Sequence, residues 1–295
     1  MTRKQFDILE ILARGESFSQ RQLKDKLGMS LGLVNKIIKE LSELGYIKNG
    51  VITSEGVAAL EPYRAKRAVF LAAGFGTRLV PITFNSPKPL VRVKGQRIID
   101  SLIDACLEAG INEIYIVRGH LAEQFDQLLY KYPMIKFLEN PLFNETNNIG
   151  SAMVARYLLS NAYVLEADIL VHNPTVIKPY HYCSNYLGIK KKRVDDWCCT
   201  VKNGIIDDEQ LGGEGENCYR MIGISYWDGA DGRQLSQDIK EVYDAPGGKE
   251  RYWEQVPLVY KKEHYRVEMR ECSETDVTEI DTFNELKAAD STYNV

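Results

Sequence analysis

The chain has 295 residues, enough for about two domains and a well-buried core. Hydrophobic residues at 44% and charged residues at 26% are the balance of a soluble globular protein, which excludes a disordered or fibrous chain. The net charge of −4 argues against a coat for nucleic acid or an anionic membrane, and neither a signal peptide nor an apolar run of about 18 residues is visible, so a cytoplasmic location is expected.

Residues 1–64 read as three helices and a hairpin. "RKQFDILEILARG" places apolar residues at 6, 8, 9, 11 and 12 and stops at Gly15. "SQRQLKDKLGM" opens on Ser19 and closes at Gly28, and "SLGLVNKIIKELSELGYI" sets Leu33, Val34, Ile37, Ile38, Leu41 and Leu44 on one face before Gly45. Asn49-Gly50 between two β-prone stretches predicts a tight hairpin. This order resembles the winged helix-turn-helix family, which implies DNA contacts from Ser30, Asn35, Lys36 and Lys39 on the third helix. Ten Lys/Arg against eight Asp/Glu is a small surplus for such a role, so DNA binding is not favoured over docking or dimerisation.

"EPYRAKRAV" (61–69) is the joint, dividing the chain into domains 1–64 and 65–295. Beyond it strands and helices alternate: strand 67–73, helix 96–109, strand 112–118, helix 121–131, strand 135–138, helix 149–159 and strand 162–167. Alternation of this kind predicts an α/β, Rossmann-like domain of parallel βαβ units with ligands at the carboxyl ends of the strands. After about 197 the pattern turns mixed, with β-prone runs at 197–201 and 218–226 and helices at 233–244 and 282–289. The six cysteines include no CxxC pair and read as reduced, mostly buried thiols.

The first strand of the second domain runs into "LAAGFGTRLVPIT". Gly74-x-Gly76 begins a dinucleotide fingerprint, but Leu79 stands where the third glycine is required, and no Gly-Lys-Ser/Thr ends the loop as in a P-loop. The loop offers instead backbone N–H groups from Ala73 to Thr77, the cation of Arg78, and Lys88 on a stiff arm between Pro87 and Pro89. Two cations and a nest of amides suit a triphosphate whose charge shifts during reaction.

Residues 71–90 match L-A-A-G-x-G-T-R-L-x-P-x-T followed by P-K-x-L, and so resemble the nucleotidyltransferases that join an NTP to a phosphorylated small molecule and release pyrophosphate. The resemblance implies nucleotide contacts from Leu71, Ala72, Ala73, Gly74, Gly76, Thr77, Arg78 and Lys88, the last two also catalytic. It further implies Mg²⁺ as cofactor, held by Asp168 at the end of the strand in "AYVLEADILVHN" and by Asp281 of "EIDT". Asp281 also reads as the N-cap of the last helix. "NPLFNETNNIGSAMVAR" lies where this family reads the base, making Asn148, Gly150 and Ser151 candidate contacts, with Gly119 of "IVRGHL" lining the same pocket.

For the acceptor, the second half is rich in aromatic and acidic residues: "DDWCC" with Trp197, "ISYWDGADG" with Trp227 and Asp228, and "KERYWEQ" with Glu250, Tyr252, Trp253 and Glu254. Trp and Tyr faces beside carboxylates suit a quaternary ammonium, which cannot donate a hydrogen bond. With the S-x-W-D and Y-W-E stretches, residues 66–290 resemble the bacterial CTP:phosphocholine cytidylyltransferases. The implied reaction is CTP plus phosphocholine to CDP-choline and pyrophosphate. Phosphoethanolamine, aminoethylphosphonate or a sugar 1-phosphate are alternative acceptors, and a winged-helix transcriptional regulator with a ligand-sensing domain is the alternative from another class. Some members of this family are fused to a choline kinase domain, and both a homodimer and such a longer chain are compatible with the sequence.

Overall fold

The computed structural model describes residues 1–15 and 18–294. The chain divides into two compact units, Met1–Arg64 with Tyr180–Tyr182, and Ala65–Pro179 with Cys183–Val295.

The first unit is built from α1 (Arg3–Ala13), α2 (Gln20–Leu27), α3 (Leu31–Glu43), the two-stranded ribbon β1 (Ile47–Lys48) and β2 (Val51–Ile52), and α4 (Ser54–Leu60). Thr2 with Gln5 and Ser19 with Gln22 form capping boxes, and Gly28 ends α2 in the left-handed conformation (φ +62°) that glycine adopts without strain. Val34, Ile37 and Leu41 of α3 are buried against Ile8, Leu9 and Leu12 of α1, whereas Leu44, expected on the same face, is 55% exposed because α3 has already ended. Lys36 and Lys39 stand within 4 Å of Glu40 and Glu43 one turn on, which lowers the net charge of that helix face. Sequence pattern assigns Tyr180–Tyr182 to the second domain; they belong to the first core instead, since the Tyr182 ring packs on Phe6 and Tyr63 and Tyr180 is buried beside them.

In the second unit the elements are β3 (Arg67–Leu71), β4 (Arg92–Val93), β5 (Gln96–Arg97), α5 (Ile98–Glu108), β6 (Glu113–Arg118), β7 (Lys136–Glu139), α6 (Ile149–Ala155), β8 (Ala162–Glu166), β9 (Ile169–Val171), β10 (Asn185–Lys190), β11 (Arg193–Lys202), β12 (Ile205–Glu214), β13 (Cys218–Trp227), α7 (Gly229–Asp244), β14 (Glu268–Glu271), β15 (Val277–Glu279) and α8 (Phe283–Ala289). Residues 122–130 form a 3-10 helix rather than the expected α-helix. Nine strands make one sheet in the order β10-β14-β12-β11-β13-β8-β3-β6-β7. The half β8-β3-β6-β7 is parallel. Its central strand reads "RAVFL" because both faces are covered: Ala68 and Phe70 enter one core, Val69 and Leu71 the other. β13 runs antiparallel to β8 and also pairs with β10 and β11, so β10, β14, β12, β11 and β13 close on themselves as a ring of strands. All six cysteines are free thiols, and no helix among the described residues is long and apolar enough to cross a membrane.

Candidate active site

The parallel strands deliver their carboxyl ends to a cleft of about 640 Å³. One wall is the loop Ala72–Arg78 that leaves β3. The Ala72 N–H donates to the Val117 carbonyl (2.9 Å) and the His120 N–H to the Ala73 carbonyl (3.0 Å), so the start of the loop stays pinned to β6 and its extension. Gly76 turns left-handed, and a Cβ there would sit 3.0 Å from both Lys88 Cβ and Thr83 Cγ2, so glycine is what lets Lys88 lie against the loop.

Lys88 is the centre of the charged group. Its Nζ donates to Asp168 Oδ2 (2.7 Å) and to Asp281 Oδ1 (2.9 Å), and Arg78 Nη2 donates to the same Asp281 oxygen (2.7 Å). Burial lowers the Lys88 pKa, but the two carboxylates more than reverse this and hold it above the usual lysine value. Arg78 remains 65% exposed and reaches into solvent. Asp281 is not the cap of α8: Thr282 is, through a capping box with Glu285, which leaves the Asp281 carboxylate to the cleft.

Two further carboxylates precede the aspartates by two positions, Glu166 and Glu279, and both line the cleft. One oxygen each of Glu166, Asp168 and Glu279 lies within 4.8 Å of the others, and Asp168 Oδ1 is buried with no hydrogen-bond partner. Hard oxygen ligands crowded in this way, one of them unpaired, fit a divalent cation such as Mg²⁺. Burial, aided by the neighbouring carboxylates, pushes Glu279 up to about 8 and raises Glu166 well above the carboxylate range. Gly223 of β13 leaves space for Glu166, since a Cβ there would approach its Cβ and Cγ to 2.7 Å.

Asn148 ties Glu166 to Glu254. Its Nδ2 donates to Glu166 Oε1 and Glu254 Oε2, both at 3.3 Å, while its Oδ1 accepts from the Trp253 N–H at 2.8 Å. Burial pushes Glu254 up to about 7. Trp197 and Tyr252 meet edge to face with ring centroids 5.3 Å apart, and both rings' residues line the cleft together with Tyr186, Asp196 and Met221.

The cleft collects the loop Leu71–Thr77, Arg78, Lys88, Asn148, Ser151, Asp168, Asp281, Trp197, Tyr252 and Glu254. Several expected contacts fall elsewhere. Trp227 and Trp253, 0% and 1% exposed, pack edge to face in the core at 6.0 Å, and Trp227 Nε1 donates to Ser225 Oγ, so neither ring can face an acceptor. Asp228 caps α7, accepting from the Ala230 and Asp231 N–H groups, and Glu250 is exposed outside the lining. Gly119 and Gly150 stand behind the wall: a Cβ would come within 2.6 Å of Phe143 and 1.9 Å of Thr146 Oγ1, both of which line the cleft. The Asn148 side chain is occupied by protein groups on both of its polar atoms, which points to a role in holding the acids rather than in reading the base. Glu166 and Glu279 are not among the expected site residues, although each stands two positions before an aspartate that is.

Residues 67–177 match the nucleotidyl transferase family and residues 1–50 the MarR family. Over 233 residues the chain is 31% identical to 2-aminoethylphosphonate cytidylyltransferase of Lancefieldella rimae, covering 77% of this chain and 92% of that protein. The chain belongs to the cytidylyltransferase family of nucleotidyl transferases. Choline-phosphate cytidylyltransferase of Streptococcus pneumoniae is 29% identical over 75% of this chain and 95% of its own. A solved structure of CTP:phosphocholine cytidylyltransferase from the same organism superposes with TM-score 0.70 at 28% identity, covering 78% of this chain and 99% of that one. This cytidylyltransferase thus carries its MarR-type winged helix ahead of a catalytic unit that matches its relatives over nearly their whole length.

Proposed function

We propose that the cytidylyltransferase unit transfers CMP from CTP to a small acceptor with a phosphate or phosphonate at one end and an ammonium at the other, releasing pyrophosphate. The carrying observation is the buried acid group at the cleft wall, in which Asn148 draws Glu166 and Glu254 to within 3.3 Å of one amide nitrogen. A buried carboxylate such as Glu254 is costly unless a cation pairs with it, and a bound ammonium offsets that cost.

A primary ammonium, as in 2-aminoethylphosphonate or phosphoethanolamine, donates three hydrogen bonds and draws on those carboxylates directly. With Trp227 and Trp253 in the core, the aromatic contribution shrinks, which favours the primary ammonium; the name of the Lancefieldella rimae relative supports the same choice. Phosphocholine is the second reading, favoured by the Trp197–Tyr252 pair and Tyr186 on the same wall.

Chemistry needs an acceptor oxygen to attack the α-phosphorus as pyrophosphate leaves in line. Arg78 and Lys88 would bind the triphosphate and offset the charge that builds on the leaving pyrophosphate. Asp168 and Asp281, with Glu166 and Glu279 in reach, would hold Mg²⁺, which when bound neutralises phosphate charge. The acceptor needs no general base, because a phosphate is largely ionised near neutral pH, with a second pKa of about 6. An intact set of Arg78, Lys88, Asp168 and Asp281 in one cleft supports transfer over ligand sensing.

Glu254→Gln tests the acceptor reading. It is expected to raise the KM for an ammonium acceptor by about 10–100-fold with kcat and the KM for CTP little changed, the signature of a lost charge contact remote from the reacting bond. In the unmodified protein, acceptor affinity should rise with pH through about 7, because the carboxylate that attracts the ammonium forms only as Glu254 loses its proton. That limb should vanish in Glu254→Gln; an unchanged KM and pH profile would remove Glu254 from the acceptor site.

A further inference from the structure

The Lys88 ammonium lies where the metal reading puts a cation. Nζ bonds Asp168 Oδ2 at 2.7 Å and Asp281 Oδ1 at 2.9 Å. A divalent ion held by Asp168 and Asp281 would draw on the two carboxylates that the ammonium now neutralises. Ammonium and metal therefore compete for the same two aspartates.

Lys88 has few other places to go. Its side chain is 11% exposed, Pro87 and Pro89 stiffen its backbone on both sides, and a buried ammonium cannot leave two carboxylates without finding another anion. Asp168, equally, cannot release it without another cation, whereas Asp281 keeps Arg78. A nucleotide bringing its own metal meets both demands at once, with triphosphate for Lys88 and metal for the aspartates.

We propose that Lys88 is an internal cation latch, which holds Asp168 and Asp281 together until a metal-bound triphosphate arrives and then exchanges the aspartates for phosphate. The latch makes binding of bare metal weak and couples metal to nucleotide, each strengthening the other. It rests on the metal role of Asp168 and Asp281 and is independent of which acceptor is used. Arg78 is not part of the latch: it touches Asp281 alone and is mostly exposed, so it serves as the control for charge removal.

The test is titration of the full chain with Mn²⁺ alone, reading free Mn²⁺ by electron paramagnetic resonance, with a thermal melt to establish that each variant is folded. Lys88→Gln is expected to bind Mn²⁺ at least about tenfold more tightly than the unmodified chain, within the usual range of site–site coupling. Arg78→Gln should change affinity far less, and Asp168→Asn in the Lys88→Gln background should abolish the gain. Lys88→Met provides the same measurement if the Gln variant does not fold. The proposal is overturned if the Lys88 variants bind no more tightly than the unmodified chain, if Arg78→Gln gains as much, or if the gain survives loss of Asp168. Because neither CTP nor acceptor is present, these outcomes are separate from those that decide the transfer reaction.

Discussion

Asp168→Asn is expected to lower pyrophosphate release by about 10²–10³-fold, the scale on which a preorganised charge in a closed site contributes. The loss arises because Asp168 holds Lys88, shares its neighbourhood with Glu166 and Glu279, and keeps one buried oxygen unpaired. The same substitution should change stability little. Lys88 keeps Asp281 as a partner, and removing one charge relieves the repulsion that helps raise Glu166 and Glu279. Steady-state pyrophosphate release and a thermal melt on the same sample check both halves. A variant that turns over like the unmodified chain would take Asp168 out of the reaction; one that fails to fold would make it structural.

Trp227→Ala carries the largest expected effect on stability, about 3–5 kcal/mol, as for other buried Trp-to-Ala truncations. Trp227 is fully buried, meets Trp253 at 6.0 Å and Tyr265 at 5.8 Å, and satisfies its N–H on Ser225. Urea unfolding followed by fluorescence measures the loss, and Trp227→Phe, which keeps a ring but forfeits the Ser225 hydrogen bond, should lose less in the same direction. At temperatures where the variant is folded, acceptor KM should stay near its original value. Unchanged stability together with a large rise in acceptor KM would return Trp227 to the acceptor cage.

That the loop after β3 lines the cleft was legible because its pattern is local. A buried strand, a left-handed glycine and the two cations Arg78 and Lys88 lie within residues 67–88, and Asp168 stands just past the end of an apolar strand. The aromatic wall of the cleft was not, because it depends on which way single side chains turn. In "RYWEQ" Tyr252 and Glu254 reach the cleft while Trp253 between them goes into the core, and aromatic content alone cannot distinguish those outcomes. Asp228 was misread for a related reason: an acid after a strand caps the following helix as readily as it faces a ligand, and here α7 starts immediately behind it. β12 has no clear apolar alternation in "IIDDEQLGGE", since its place is set by pairing with β11 rather than by burial of one face. The inclusion of Tyr180–Tyr182 in the first unit is a contact between segments more than a hundred residues apart, which no local pattern encodes.

The proposed reaction is transfer of CMP to an ammonium-bearing phosphate or phosphonate. It is tested most directly by pyrophosphate release with CTP over 2-aminoethylphosphonate, phosphoethanolamine, phosphocholine and a sugar 1-phosphate. The highest kcat/KM is expected with a primary-ammonium acceptor, lower values with phosphocholine and none with the sugar phosphate; turnover with the sugar phosphate and with none of the ammonium compounds would overturn the proposed reaction.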